Sequence, residues 1–450
     1  MPKMYDVIIV GGGITGASLL YAISRYSDIK SVLMLEKYGG LAPLNSNSRN
    51  NAQTLHFGDI ETNYSLETAK RTNDAAKLLL RYTESLPVAV RSEVIRKCQK
   101  MVLAVGEFEM GLLEKTYSNI SPLFPTLRKA ERREIGRLEP YVVKGRGRDE
   151  RIMALVSQHG YMVDFGKVTK TFADKALLNR KLKPEIKFNT RVTKAERHGD
   201  GFIVTAANGD EYHGRFVVFA TGAYSLYFAK SMGYDNNLSV LSVSGSFYYS
   251  KKVLKGKVYR VQIGGIPFAA VHGDPEITNP NVTRFGPTVS LPLTLEKGHG
   301  GTVGDYLKTF DFDIPMLISM KNILLNRDIR RILSKNLLYG LPGIGKQEFL
   351  KNEAGRIVPS LRNEDIWLAK GIGGIRPQII DENKRSLVLG EAKLKEDGII
   401  FNVTPSPGAT SCLSGAVADL KTITEHLGKE FHAQKFEREL GEAKHHLKHV

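Results

Sequence analysis

Short apolar runs and amphipathic stretches alternate from the start of the chain. Tyr5-Asp6-Val7-Ile8-Ile9-Val10 is of strand type, and Gly11-Gly12-Gly13-Ile14-Thr15-Gly16 follows at once. Residues 17–26 read as a helix with Leu19, Leu20 and Ile23 on one face. A second strand-type run, 31–35, ends at Glu36. Helical spacing returns over 65–86 and stops at Pro87. The pattern then predicts a strand over 97–105 and a charged helical stretch over 108–135, broken near Pro122 and Pro125. Within that stretch Glu131, Arg132, Arg133 and Glu134, with Arg137 beyond, read as a solvated face. Asp164 stands at a helix cap, ahead of a helix over 166–178. Strands over 186–196 and 201–206 form a hairpin-like unit, and a buried run from Arg215 leads into Ala220-Thr221-Gly222.

Between 238 and 293 the pattern is β throughout. It includes Ser246-Phe247-Tyr248-Tyr249, Lys257-Val258-Tyr259-Arg260-Val261 and Phe268-Ala269-Ala270-Val271-His272, as expected of an antiparallel sheet. Residues 306–339 turn helical, with apolar Met316, Leu317, Ile323 and Ile329 beside basic Lys321, Arg327, Arg330, Arg331 and Lys335. Such a helix lies on an anionic membrane, or covers the second domain with its apolar face. A strand over 399–403 precedes Ser406-Pro407-Gly408-Ala409-Thr410 and a helix expected from Gly408 to about 427. The fold class is therefore α/β. A discontinuous Rossmann-like nucleotide-binding domain is assembled from 1–80, 151–225 and 366–430. A second, α+β substrate domain built on an antiparallel sheet comes from 81–150 and 226–365, and 431–450 is a charged tail.

The opening forty residues carry the sharpest chemistry. Strand, Gly-x-Gly-x-x-Gly, helix, strand and a final acid form the dinucleotide-binding βαβ fingerprint in its proper context. Gly11 permits the tight turn, Gly13 lets backbone approach a pyrophosphate, and Gly16 lets helix and strand pack closely. Ile14 and Thr15 open the helix, whose free N–H groups face the phosphates. Glu36, followed by Lys37, accepts hydrogen bonds from a ribose. The long polar loop 39–58 brings amides and hydroxyls, Asn51 among them, and closes on His56. Val192, Thr221, Gly222 and Gly374 are expected to meet the cofactor, as are Gly408, Ala409 and Thr410. A helix beginning at Gly408 would stabilise negative charge on a reduced flavin.

Composition narrows the setting. The chain has 450 residues, 42% hydrophobic, enough for two domains. Two distant cysteines, Cys98 and Cys412, predict no disulfide framework and fit a reducing compartment. No signal peptide and no run long enough for a transmembrane helix is expected. The net charge of +17 admits an anionic substrate, an anionic membrane surface or a nucleic acid, as well as a merely solvated basic surface. The basic residues are scattered and no nucleic-acid-binding motif accompanies them.

A lone N-terminal fingerprint, a mid-chain Ala-Thr-Gly strand and a C-terminal glycine-rich turn resemble the FAD-dependent superfamily of D-amino-acid oxidase and glycerol-3-phosphate dehydrogenase. Within it the chain resembles the malate:quinone oxidoreductases over essentially its whole length, in their short bacterial form. Asn50-Asn51-Ala52-Gln53-Thr54-Leu55-His56 is similar to that family's Asn-Asn-Ala-Gly-Thr-Gly-His, with Gln53 and Leu55 in place of glycines. Glu61-Thr62-Asn63-Tyr64-Ser65 resembles Glu-Leu-Asn-Tyr-Thr, and Val271-His272-Gly273-Asp274 with Phe285-Gly286-Pro287 resembles Pro-His-Leu-Asp with Phe-Gly-Pro. Ser406-Pro407-Gly408-Ala409-Thr410 is similar to Ser-Pro-Gly-Ala-Ser.

The resemblance implies FAD as cofactor, (S)-malate as substrate and a membrane quinone as acceptor. It also implies a peripheral place on the cytoplasmic side of the bacterial inner membrane, with no nucleic acid as partner. Malate is a dianion, so fixed cations are expected, Arg376 first and Arg284 second, with Gln53 and Thr54 near the substrate. A histidine of near-neutral pKa suits the general base; His272 is the first candidate, His56 the second and His159 a weaker one. An L-2-hydroxyglutarate dehydrogenase or oxidase is the nearest alternative, and a flavin-containing RNA-binding or tRNA-modifying protein a remote one.

Overall fold

The computed structural model describes residues 2–182, 184–234, 237–262, 270–388, 392–403 and 407–441. Phe268, Ala269 and Ser406, and the end of the tail, lie outside the described residues.

The opening apolar run is strand β1, Met4–Val10; helix α1, Ile14–Tyr26, follows, then strand β2, Val32–Leu35. β1 pairs in parallel with β2 on one side and with Glu211–Phe219 on the other. Glu185–Lys187 extends the sheet beyond β2, and Ile399–Val403 extends it beyond Glu211–Phe219, both in parallel. Both faces of this sheet are covered, which parallel sheets require. Val7 and Ile9 of β1 pack with α1 and with helices Phe165–Leu177 and Cys412–Leu427. Tyr5, Ile8 and Val10 point to the other side, among Phe219, Phe401 and Ile380. The predicted cap is in place: Asp164 accepts the Lys167 N–H at the start of Phe165–Leu177.

The second sheet has eight strands, in the order Ile366–Leu368, Tyr248–Lys251, Val282–Gly286, His272–Pro275, Lys257–Arg260, Lys100–Val105, Ile152–Ser157, Arg128–Glu131. It is antiparallel except that Lys257–Arg260 runs parallel to Lys100–Val105. Lys100–Val105 is buried on both faces: Met101 and Leu103 feed one core, Val102 and Ala104 another.

Four expectations are corrected here. Arg128–Glu131 is a strand, not helix, because its backbone completes the edge beside Ile152–Ser157 while its charged side chains stay in water. The 97–105 run is two strands, Ile95–Lys97 and Lys100–Val105, in different sheets. Ile152–Ser157 hydrogen-bonds into the second sheet, so a division at 150 falls one strand too early. The helix expected from Gly408 starts at Cys412, and 407–410 form a turn in front of it.

The helical stretch near 306–339 is three helices, Val303–Leu307, Ile314–Leu325 and Arg327–Tyr339. Met316, Ile323 and Ile329 bury into the core on the second side of the first sheet. Beyond Phe431 the helix Ala433–Leu440 seats Phe436 and Leu440 in the core beside α1. No helix among the described residues is long and apolar enough to cross a membrane.

Candidate functional site

The glycine turn follows from two close approaches. Gly11 has φ +109°, and a Cβ there would stand 2.5 Å from the Ala220 carbonyl oxygen. A Cβ on Gly16 would stand 2.1 Å from the Gly11 carbonyl oxygen, so only glycine lets α1 lie this near β1. α1 starts at Ile14, whose N–H is accepted by Ser46 Oγ at 2.9 Å, and has no acid in its first turn, so nothing negative competes for its N-terminus. The Glu36 carboxylate closes the turn, accepting the Gly12 N–H at 2.7 Å and the Tyr38 N–H at 2.9 Å. Burial pushes its pKa up despite those two donors.

A cavity of about 320 Å³ runs from this turn past the strands Leu238–Ser244 and Ile375–Asp381. At one end it is lined by Gly11, Gly13, Ile14, Thr15, Glu36, Lys37, Val192, Thr221 and Gly222. Lys37 there pairs with Glu296 and lies 4.3 Å from the centre of the Tyr224 ring. Asn51, Gly374, Gly408, Ala409 and Thr410 also line the cavity. Gly16 lies behind the wall, as its packing role requires.

The polar loop is stitched to the C-terminal glycine turn. Asn45 donates to the Ile375 carbonyl at 2.7 Å and accepts the Ile375 N–H at 3.1 Å. Asn50 accepts the Gly373 N–H at 3.1 Å. A Cβ on Gly374 would meet the Asn45 amide oxygen at 2.3 Å. These contacts set the start of strand Ile375–Asp381, and with it Arg376, against the cavity.

His56, Thr54 and Arg376 gather on the cavity wall. His56 Nδ1 lies 2.7 Å from Glu61 Oε1. Burial pushes the Glu61 carboxyl up, but the Lys100 charge and His56 outweigh it and hold the pKa near 2. Thr54 Oγ1 and the Tyr259 hydroxyl are 2.6 Å apart. The Arg376 side chain forms no ion pair or hydrogen bond with any described residue. Desolvation lowers its pKa, and the ionisable groups that act on it are the phenols of Tyr64 and Tyr259. In the sequence Glu61 and Tyr259 stand out only as parts of a motif and a strand. The spacing of His56 and Glu61 was visible, but the loop conformation that joins them was not.

Four expected substrate-site residues lie behind the wall. His272 is 1% exposed, stacks on Tyr259 at 4.7 Å, and does not line the cavity. Burial drives its pKa down to about 3 although Asp274 Oδ1 is 3.6 Å away. The order of the two histidines is therefore reversed: His56 faces the cavity, and His272 is a neutral core residue. Arg284 is fully buried; its guanidinium donates to Asp274 at 2.9 Å and to the Asn51 carbonyl at 3.0 Å. The Phe247 ring, itself on the cavity wall, stacks on that guanidinium at 4.9 Å. Its charge is spent on a structural acid, not a substrate. Gln53 is buried, donates to the Ser48 carbonyl and to Glu276, and accepts the Ile277 N–H. It holds φ +50°, a left-handed backbone that glycine adopts more readily than glutamine. His159 stacks on Phe57 and lies off the wall.

A family model described as FAD dependent oxidoreductase matches residues 6–418. The chain is 41% identical to the protein named Probable malate:quinone oxidoreductase of Campylobacter jejuni, over 97% of this chain and 99% of that one. It is 38% identical to the Malate:quinone oxidoreductase of Helicobacter pylori strain 26695, over 98% of each chain. Among solved structures, the FAD-bound L-alpha-glycerophosphate oxidase of Mycoplasma pneumoniae shares the fold. Its TM-score is 0.66 at 20% identity, covering 94% of this chain and 95% of that one.

Proposed function

The chain belongs to the FAD-dependent oxidoreductases and, within them, to the malate:quinone oxidoreductases, and from that membership we propose how its cavity works. The reaction is oxidation of (S)-malate to oxaloacetate, with the electrons passed on to a quinone. The full-length relatives favour malate over 2-hydroxyglutarate, the homologue longer by one methylene.

The residues fit FAD. The acid-free N-terminus of α1 and the glycine turn would hold its pyrophosphate, and the buried Glu36 carboxylate a ribose. Lys37, Val192, Thr221 and Gly222 would flank the nucleotide, and Asn51, Gly374 and 408–410 the rest. Bound there, FAD supplies a two-electron acceptor that takes a hydride from C2 of the substrate.

The protein's own part is binding and proton transfer. Arg376 holds a malate carboxylate through charge-assisted hydrogen bonds, which no protein acid contests. Glu61 accepts the Nδ1–H of His56 and fixes the ring, leaving Nε2 as the base nitrogen. Nε2 takes the hydroxyl proton as the C2 hydride departs, so the carbonyl forms without a high-energy alkoxide. Thr54, held by the Tyr259 hydroxyl, offers a hydroxyl on the same wall. One observation carries this reading: an unpaired arginine and a histidine–carboxylate pair share one cavity with the glycine turn.

Anaerobic mixing of the purified FAD-loaded protein with malate tests it. Malate should bleach the flavin, 2-hydroxyglutarate should do so far more slowly, and a soluble quinone should restore the colour. A flavin that keeps its colour with malate overturns the proposal. The reading extends to peripheral attachment at the cytoplasmic face of a bacterial inner membrane, where the quinone resides.

A further inference from the structure

Helices Ile314–Leu325 and Arg327–Tyr339 bury only part of their apolar surface. Met316, Ile323 and Ile329 face the core, yet Ile314 is 72% exposed, Leu317 58% and Leu337 73%. The outward positions follow helical spacing: Leu317, Lys321 and Leu324 at i, i+4, i+7, and Arg330, Ser334 and Leu337 likewise. Cations are interleaved with these side chains. Lys321, Arg327, Arg330, Arg331 and Lys335 form no ion pair among the described residues, and Asp328 is the only acid from 314 to 346. The loop after the second helix adds exposed Leu341 and Ile344.

We propose that this face is a membrane-docking surface whose partner is a bilayer of anionic lipids. The inference rests on the reading above, to which it adds the surface and the lipid chemistry. Exposed leucines and isoleucines cost free energy in water and gain it in the acyl boundary. Lysines and arginines on the same face reach the headgroups, and each strengthens binding to anionic lipid. A second copy of this chain fits poorly, because a two-fold contact would set five unpaired cations against the same five. A nucleic acid would leave the leucines against phosphate and water.

The face is joined to the cavity. The Asn336 side chain, on the inner side of Arg327–Tyr339, accepts the Val289 N–H at 2.6 Å. Val289 and the neighbouring Thr288 line the cavity. A bilayer under Leu337 therefore brings a lipid-dissolved acceptor to the wall of the redox site.

The test is co-sedimentation of the FAD-loaded protein with vesicles of phosphatidylcholine, alone or mixed with phosphatidylglycerol. The native chain should sediment with the anionic vesicles, far less with the neutral ones, and less as salt rises. Arg330→Gln with Arg331→Gln should weaken partition about 25-fold, at roughly fivefold per cation. Leu317→Ser with Leu337→Ser should weaken it at least as much. Both double variants should reduce a water-soluble quinone with malate at the native rate. Native-like vesicle binding by both variants, or no binding by the native chain, overturns the docking face. So does a native dimer in solution that Leu337→Ser breaks, which would assign the face to a second copy. Failure of the native chain to oxidise malate with the soluble quinone would instead overturn the underlying functional reading.

Discussion

His56 Nδ1 and Glu61 Oε1 stand 2.7 Å apart on one loop, five residues from each other in sequence. Glu61 stays ionised there because Lys100 and His56 outweigh the cost of its burial. The ring is thereby oriented with one nitrogen committed and the other left to the cavity. His56→Gln should slow flavin reduction by malate about 10²–10⁴-fold while the flavin stays bound. Stopped-flow absorbance measures it, and a near-native rate would remove His56 as the base.

Glu61 is a positioning residue and should behave as one. Glu61→Gln should lower kcat by about 10²-fold with little change in the malate KM, and Glu61→Asp should recover part of the loss. A rise in KM alone would instead place Glu61 in substrate binding.

Arg376 has no protein acid to satisfy, so its removal should cost substrate and not the fold. Arg376→Gln should raise the malate concentration for half-saturation about 10–100-fold, the worth of a charge-assisted hydrogen bond. An unchanged saturation curve would reject it as the carboxylate holder.

His272 predicts a pH dependence of stability rather than of rate. Its pKa is about 3 in the folded protein, against 6.5 as a free side chain. The unfolded chain thus binds the extra proton first. The stabilisation is complete above pH 6.5 and is lost progressively as pH falls towards 3. Urea midpoints should fall over that window, and His272→Phe should flatten this part of the slope. The same substitution should leave malate turnover within a few-fold of native, whereas a collapse of turnover in folded protein would restore His272 to the site.

Gly16→Ala should yield protein that retains no FAD or does not fold, since its methyl would meet the Gly11 carbonyl. Yellow, stable Gly16→Ala protein would contradict the packing of α1 on β1.

The sequence made the first sheet readable because its signals are local. Gly11, Gly13 and Gly16 announce a turn whose geometry only glycine tolerates, and Asp164 announces a cap that bonds three residues on. The second sheet was harder. Arg128–Glu131 carries no apolar alternation, and only its distant partner Ile152–Ser157 makes it a strand. At the site, residue type suggested arginines and histidines but not which were already taken. Arg284 and His272 have the right chemistry, yet Asp274 and the Tyr259 ring hold them behind the wall. Arg376 differs only in lacking such a partner, which no spacing reveals.

Arg284 and the equally buried Lys257 have a consequence for the loop along the cavity. Arg284 donates to the Asn51 carbonyl and Lys257 to the Ala52 carbonyl, while both grip Asp274 in the second sheet. The loop along the cofactor is therefore riveted to the neighbouring domain at adjacent peptide groups. It cannot swing out as a flap. Opening it would break the Arg284 and Lys257 contacts together, so this loop moves only as one piece with the second sheet.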